Sequence, residues 1–399
     1  MAKEKSEQDR LIGEWVAERN KHIGEVTIPP LGEYPPDLNC WYGSIMNEWV
    51  TTDVIRHFAD GMGDRNPLWR SQDYAKRTRW GGIIAPPTIT DTIVQPYSGK
   101  MSAEAPPFNS FFTLPNGSTR QLFQVVHPGD RFRVLQIDLG LTEVEPTRPK
   151  PARQFDDAAR RVIINQRDEI VAIHDRHMDA VVNHDLKGAP FWGVRKRRRL
   201  TDKERDAIQR GYDTEKRRGA DTLYWEDVTV GKEITPLTVG PYSVYDIAAC
   251  YTVIAGHAVA FDVEWERIKL APWFHWLDPE VNAWTCSGIC HFQDEKGHAG
   301  IFTGGTAVGF YSQLEWLLGR VICNWMGDDG FLKKLDDRVP VYPIIGDVLC
   351  CKGKVANKYT EGSEHLVDLE VRCENLDGVI LMPGSATVRL PSQTDFGKV

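Results

Sequence analysis

Three places in this chain carry residue types that can move a proton or hold a reacting oxygen. In Phe58-Ala59-Asp60-Gly61-Met62-Gly63-Asp64-Arg65-Asn66-Pro67-Leu68-Trp69, the Asp64 carboxylate and the Asn66 amide stand beside a proline. Further on, His257 and Asp262 are five residues apart, the interval that also separates Asp64 from Trp69. A carboxylate and an imidazole around a shared water form a general acid–base pair. The third place runs from Trp284 to His298, where His291 and Asp294 precede a glycine-led segment, Gly300-Ile301-Phe302-Thr303-Gly304-Gly305-Thr306. Glycines let a ligand come close to the backbone. If Thr303-Gly304-Gly305 opens a helix, its unpaired N–H groups can receive a developing negative charge.

Each of these has a plainer reading. Asp64 can cap its own loop, since Asp before a turn often bonds the nearby backbone. His257 and Asp262 lack a surrounding Asn-Pro. Gly304 and Gly305 can simply relieve crowding between a helix and a sheet. Cys286, Cys290, His291 and His298 are metal-ligand types, but the spacing C-x3-C-H-x6-H matches no common zinc pattern. No metal is expected, and the cysteines read as reduced thiols.

The elements that must position these residues repeat. Thr52-Asp53-Val54-Ile55-Arg56-His57-Phe58 resembles Tyr245-Asp246-Ile247-Ala248-Ala249-Cys250-Tyr251, each opening an amphipathic stretch. Gly82-Ile83-Ile84-Ala85-Pro86-Pro87-Thr88 lies in frame with Gly300 to Thr306. Pro128-Gly129-Asp130-Arg131-Phe132 matches Ile345-Gly346-Asp347-Val348-Leu349. Gly82 to Gly129 is 47 residues and Gly300 to Gly346 is 46, which chance does not readily produce. Between its first helix and its central helix, the second copy carries about 25 extra residues. Extending the alignment from Asp246 places His257 opposite Asp64 and Asp262 opposite Trp69.

After the second glycine-led loop, Ala307, Phe310, Leu314, Leu317, Leu318, Val321 and Ile322 have helical spacing and predict one long buried helix. After each Gly-Asp pair come β-rich runs: 133–141 and 162–182 in the first half, 348–356, 365–374 and 379–390 in the second. The expected class is α+β, two tandem units, each an antiparallel sheet wrapped around a long helix. The expected boundaries are 1–194, a charged linker at 195–222, and 223–399. Leu11, Ile12, Trp15 and Val16 share one face of an N-terminal helix that packs on the first unit. Arg195-Lys196-Arg197-Arg198-Arg199 reads as part of a solvated linker, or else as a docking patch for phosphate.

The stretch from Phe58 to Trp69 resembles the motif of the MaoC-like (R-specific) enoyl-CoA hydratases and dehydratases, Gly/Ser-Asp-x-Asn-Pro-x-His. Asp64, Asn66 and Pro67 are in place, and Trp69 stands where that family has its catalytic His. Tyr74-Ala75, the segment Gly81 to Thr88, and Tyr224 to Gly231 continue the resemblance. It implies two hotdog domains and addition or removal of water across the double bond of an acyl-CoA thioester. It also implies no cofactor beyond the CoA carried by the substrate. That reaction needs a base for water, an acid for the α-carbon, and donors for the thioester oxygen. Trp69 cannot transfer a proton, so the resemblance implies a worn first unit that shapes the acyl pocket and a second unit that reacts. His257, Asp262, Asp64 and His291 are the catalytic candidates. Asn66, Trp69, Thr303, Gly304 and Gly305 are the substrate-binding candidates. In the first unit Pro86-Pro87 removes two N–H donors, which also favours the second half. Thioester hydrolysis, C–C lysis, or a helper subunit that only binds acyl-CoA remain open alternatives.

Composition sets wider bounds. A net charge of -8 argues against a nucleic-acid partner. Thirteen Trp suit a bulky or aromatic acyl group, or simply an indole-rich core. No apolar stretch of about 18 residues occurs, and MAKEKSEQDR leads into no apolar region. The expectation is a cytoplasmic protein without a membrane partner, forming homo-oligomers as hotdog sheets commonly do.

Overall fold

The computed structural model describes residues 6–28, 47, 49–94, 108, 110–145, 152–183, 188–253, 265, 268–269, 275–278, 280–286, 292–293 and 298–394. The first half runs α1 (Glu7–Asn20), β1 (Val26–Thr27), α2 (Thr52–Gly61), α3 (Gln72–Ala75), α4 (Thr90–Val94), β2 (Phe111–Leu122), β3 (Phe132–Val144), β4 (Arg153–Asn165) and β5 (Ile170–Val182). After α5 (Asp202–Asp213) come β6 (Leu237–Val239), α6 (Val244–Tyr251), β7 (His275–Asp278), β8 (Ala283–Cys286) and α7 (His298–Thr303). The chain then forms α8 (Tyr311–Met326), β9 (Phe331–Arg338), β10 (Leu349–Glu361), β11 (Glu364–Asn375) and β12 (Ile380–Arg389).

Ten strands form one sheet in the order β1-β3-β4-β5-β2-β9-β12-β11-β10-β6. Read outward from its middle, each half repeats the other, so β2 answers β9, β5 answers β12, β4 answers β11 and β3 answers β10. The join is antiparallel, from Gly117 opposite Arg338 to Gln121 opposite Lys334. The tandem chain thus pairs its own two units along their edges and leaves neither β2 nor β9 exposed.

The strands follow from alternation. Along β10, Leu349, Cys351, Gly353 and Val355 are buried, the period of a sheet with one face on a core. The helix they wrap, α8, is buried almost throughout, including Leu314, Trp316, Leu318, Val321 and Ile322. Each such side chain contributes about 1.5–3 kcal/mol on burial. Two charged residues of α8 are buried as well, and both are paired. Arg320 reaches Glu215 at 2.6 Å. Glu315 meets Arg120 of β2 at 2.6 Å, and Arg120 also binds Asp91 at 2.9 Å and Asp337 at 3.1 Å. Burial raises the Glu315 carboxyl well above the usual range, against the attraction of Arg120. This network crosses from one half to the other.

The N-terminal helix packs as its apolar face requires. Ile12 is fully buried, and Trp15 meets Phe108, Phe111 and Phe155 edge-on. The linker is less solvated than its charge suggests. Ile208 of α5 is buried with Val348 and with Cys350 of β10, and Glu215 accepts from Arg320 and from Asn324 at 2.8 Å. Arg195 pairs with Asp347, Arg198 with Glu204 and Asp377, and Arg217 with Glu215. These arginines are held by the fold, which weakens the phosphate-patch reading.

Candidate functional site

In the first half, α2 ends at Gly61 and the chain turns through Asp64-Arg65-Asn66 into a single turn of 3-10 helix, Pro67–Trp69. Asn66 caps that turn by accepting from the Leu68 N–H at 3.0 Å. Asp64 is 1% exposed, and both its oxygens are engaged. Oδ1 accepts the Asn66 N–H at 2.9 Å and lies 3.4 Å from Arg217 Nε. Oδ2 accepts the Trp69 indole N–H at 2.8 Å. Trp69 therefore fills the imidazole's place in the sequence and satisfies the carboxylate by a fixed donor. Asp64 is a loop staple in this structure, with both oxygens held by donors of its own loop.

Asn66 and Trp69 do line a slot. With Leu68, Trp80, Pro86, Pro87, Thr90, Met326, Asp328 and Phe331 they enclose a volume of about 30 Å³, room for about two waters. The wall comes from both halves: the motif loop and the start of the first central helix on one side, the end of α8 and the turn into β9 on the other. Thr90 Oγ1 lies 2.9 Å from His174 Nε2. Burial, reinforced by the Arg120 charge, lowers the His174 pKa to about 3, so the ring is neutral. Pro86 caps the first central helix and Pro87 is its first residue, so two N–H donors are missing where a thioester oxygen would need them.

The equivalent of that helix start in the second half is not Thr303-Gly304-Gly305. The Ala85 N–H donates to Val126 O at 2.9 Å, three residues before Gly129. The Gly309 N–H donates to Pro343 O at 2.6 Å, three residues before Gly346. Gly309 thus answers Ala85, and Phe310, the N-cap of α8, answers Pro86. Thr303, Gly304 and Gly305 instead end the short α7. Gly304 and Gly305 have φ of 76° and 119°, and their N–H groups bond back to Gly300 O and Ala299 O at 3.2 Å each. This is a helix C-terminal cap, so those N–H groups are committed. Thr303 Oγ1 accepts the Thr306 N–H at 3.1 Å.

The true start of α8 is closed by Tyr242. Its hydroxyl accepts the Phe310 N–H at 3.0 Å and donates to Gln313 Oε1. Gln313 Nε2 in turn donates to Asp246 O at 2.8 Å. Gly309 is required here, because a Cβ on it would lie 2.1 Å from Tyr242 Cε1.

The alignment of the first helices also shifts, by one residue. Val50 exchanges hydrogen bonds with Asp130 O (2.9 Å) and Gly129 N–H (2.8 Å). Tyr242 does the same with Asp347 O and Gly346 N–H, at 2.7 Å each. The following residues, Thr51 and Ser243, are the helix caps. Asp53 therefore answers Tyr245, not Asp246, and a gapless extension sets His257 against Arg65 and Asp262 against Arg70. The caps therefore do not set His257 against Asp64, nor Asp262 against Trp69. His257, Asp262 and His291 themselves lie outside the described residues, as do Cys290 and Asp294.

Comparison with known proteins places this geometry. Residues 41–146 match the family model described as FAS1-like, dehydratase domain region. A solved MaoC-like dehydratase superposes with a TM-score of 0.57 at 14% identity, covering 92% of this chain and 98% of that one. The chain has the double hotdog fold of the MaoC-like dehydratases. A MaoC domain protein dehydratase from Chloroflexus aurantiacus J-10-fl gives 0.51 at 11% identity, covering 93% and 96%. A UPF0336 protein of Thermobifida fusca (strain YX) is 34% identical over 71 residues, which is 18% of this chain and 47% of that protein. The chain thus spans about half the length of that curated relative. Among the described residues, no helix is long and apolar enough to cross a membrane.

Asp328 was not singled out by sequence reasoning. Gly327-Asp328-Asp329-Gly330 reads only as a turn, and the slot to which Asp328 contributes forms when α8 meets the motif loop.

Proposed function

We propose that this chain is a hydro-lyase that adds or removes water across the α,β double bond of an acyl-CoA thioester. The observation that carries this reading is the match of residues 41–146 to a dehydratase region, on the half whose MaoC-type loop lines the slot. The worn first unit binds the acyl group, and the second unit supplies the proton transfers. His257, Asp262 and His291 are the groups proposed for that task; the thioester oxygen would need N–H donors beyond Phe310, which Tyr242 already holds. A bulky or aromatic acyl group fits the aromatic and prolyl wall. Its entry requires the slot to widen at half-buried Trp80 and at unbranched Met326, a side chain that repacks easily. No nucleic acid or metal enters the proposal, and CoA is the only cofactor-like group.

The test is direct. Purified chain is mixed with aliphatic and aromatic 2-enoyl-CoA esters, and loss of the conjugated thioester absorbance is followed alongside a thiol reagent. Hydration removes the absorbance without releasing CoA, whereas thioesterase activity releases thiol. One observation favours a second reading, a helper subunit that binds acyl-CoA and completes a partner's site. Among the described residues, the helix start in each half lacks a free acid–base pair. Absorbance loss that needs this chain and a partner protein together, with neither active alone, would support that reading.

A further inference from the structure

Asp328 opens the turn between α8 and β9 and is 4% exposed. Its Oδ2 accepts the Tyr74 hydroxyl at 2.6 Å, and its backbone carbonyl accepts the Trp80 indole N–H at 2.8 Å. Among the described residues, Oδ1 has no hydrogen-bond partner. A buried carboxylate oxygen without a donor is costly, and such groups in folded proteins have a reason for being there.

Asp328 is part of the slot wall, among Trp69, Trp80, Pro86, Met326 and Phe331. Of the other side-chain oxygens deep in that wall, Asn66 Oδ1 accepts from the Leu68 N–H, and Thr90 Oγ1 is bonded to His174. Asp328 belongs to that wall, and its Oδ1 is a buried acceptor without a partner among the described residues; a ligand reaches it only when the slot widens at Trp80 and Met326, and one such acceptor in an apolar site orients one polar group of a ligand. The slot is not itself a reaction centre. Trp69 carries no transferable proton, and Pro86 and Pro87 offer no N–H to an enolate oxygen.

We propose that the slot receives the far end of an acyl group ending in a hydroxyl, phenolic or alcoholic, which donates to Asp328 Oδ1. The flat wall suits a ring. Tyr74 is a positioning residue that fixes the carboxylate by its other oxygen. This inference rests on the thioester reading above and narrows its substrate class.

The experiment compares two saturated esters that cannot be hydrated, 3-(4-hydroxyphenyl)propanoyl-CoA and 3-phenylpropanoyl-CoA. Binding to the full chain is measured by calorimetry for wild type, Asp328→Ala, Asp328→Asn and Tyr74→Phe, with thermal melts confirming that each variant is folded. The wild type should prefer the hydroxylated ester by at least about tenfold, since a site built to bond a hydroxyl rejects the analogue that lacks it. Asp328→Ala should equalise the two. Asp328→Asn, which keeps an acceptor, should retain part of the preference, and Tyr74→Phe should reduce it. Equal affinities in the wild type, or a preference that survives Asp328→Ala, would overturn the proposal and leave Oδ1 to an ordered water only. If neither ester binds, 4-ethylphenol against ethylbenzene decides, read by calorimetry. A response to the phenol that Asp328→Ala abolishes keeps the subsite and overturns the thioester reading; no response overturns both.

Discussion

Replacing Asp64 by alanine removes the acceptor for two buried donors at once. The Asn66 N–H at 2.9 Å and the Trp69 indole N–H at 2.8 Å would both lose their partner. Each buried donor left unsatisfied costs about 1–3 kcal/mol, so the total is about 2–6 kcal/mol. Arg217 also loses a neighbour at 3.4 Å, but it keeps Glu215. A domain of this size loses about 2–4 °C of Tm per kcal/mol, which predicts a fall of roughly 5–20 °C. Asp64→Asn keeps one acceptor oxygen and should lose about half as much. The assay is thermal unfolding followed by circular dichroism, with turnover measured well below the lowered Tm. Asp64→Asn should turn over substrate at close to the wild-type rate per folded molecule. An Asp64→Asn protein with an unchanged Tm and no turnover would refute the reasoning, because it would make Asp64 a participant in the chemistry.

Three other outcomes are expected. Burial, with the Asp156 carboxylate adding to it, pushes Asp179 up to about 6, so the fold favours its protonated form. Stability from this group is present below the ordinary carboxylate range and is lost as pH rises through about 6. Asp179→Asn should therefore stabilise by up to about 3 kcal/mol at pH 8 and by nothing near pH 3, checked by urea unfolding at both pH values. Gly309→Ala should destabilise by about 1–3 kcal/mol or more, because its Cβ would meet Tyr242 Cε1 at 2.1 Å; an unchanged urea midpoint would contradict the close approach. His257→Ala should cut turnover at least about 100-fold while calorimetry still shows thioester binding, and unchanged turnover would move the role to His291.

How much of this was legible in the sequence depended on whether local signals pointed the same way. The Gly-Asp turns and the second-half strands after them were visible, because apolar alternation and turn residues agree there, whereas the first-half run 162–182 divides into the end of β4 (Arg153–Asn165) and all of β5 (Ile170–Val182), with a turn between them. The two strands that join the halves were not visible. In β2, Leu114-Pro115-Asn116-Gly117-Ser118 has the composition of a hairpin turn, yet the register shifts there and Gly117 lies against Asp337 O. The bulge hides the strand. The second central helix was expected too early, since apolar spacing already begins at Ala307 while the helix begins at Tyr311. Gly304 and Gly305 looked like an oxyanion loop because glycine serves equally at a helix start and a helix end. Only the hydrogen bonds to Gly300 and Ala299 separate the two. Asp64 was equally ambiguous until Trp69 was seen to bond it. Asp328 carried no signal, because its burial comes from packing between halves far apart in sequence.

The reaction itself is tested most directly by incubating the purified chain with an aromatic 2-enoyl-CoA in H2¹⁸O and weighing the products. The account predicts a 3-hydroxyacyl-CoA with one ¹⁸O atom on the β-carbon and its thioester intact. Free CoA with a carboxylic acid carrying the label, or substrate recovered unchanged with active enzyme controls beside it, would contradict it.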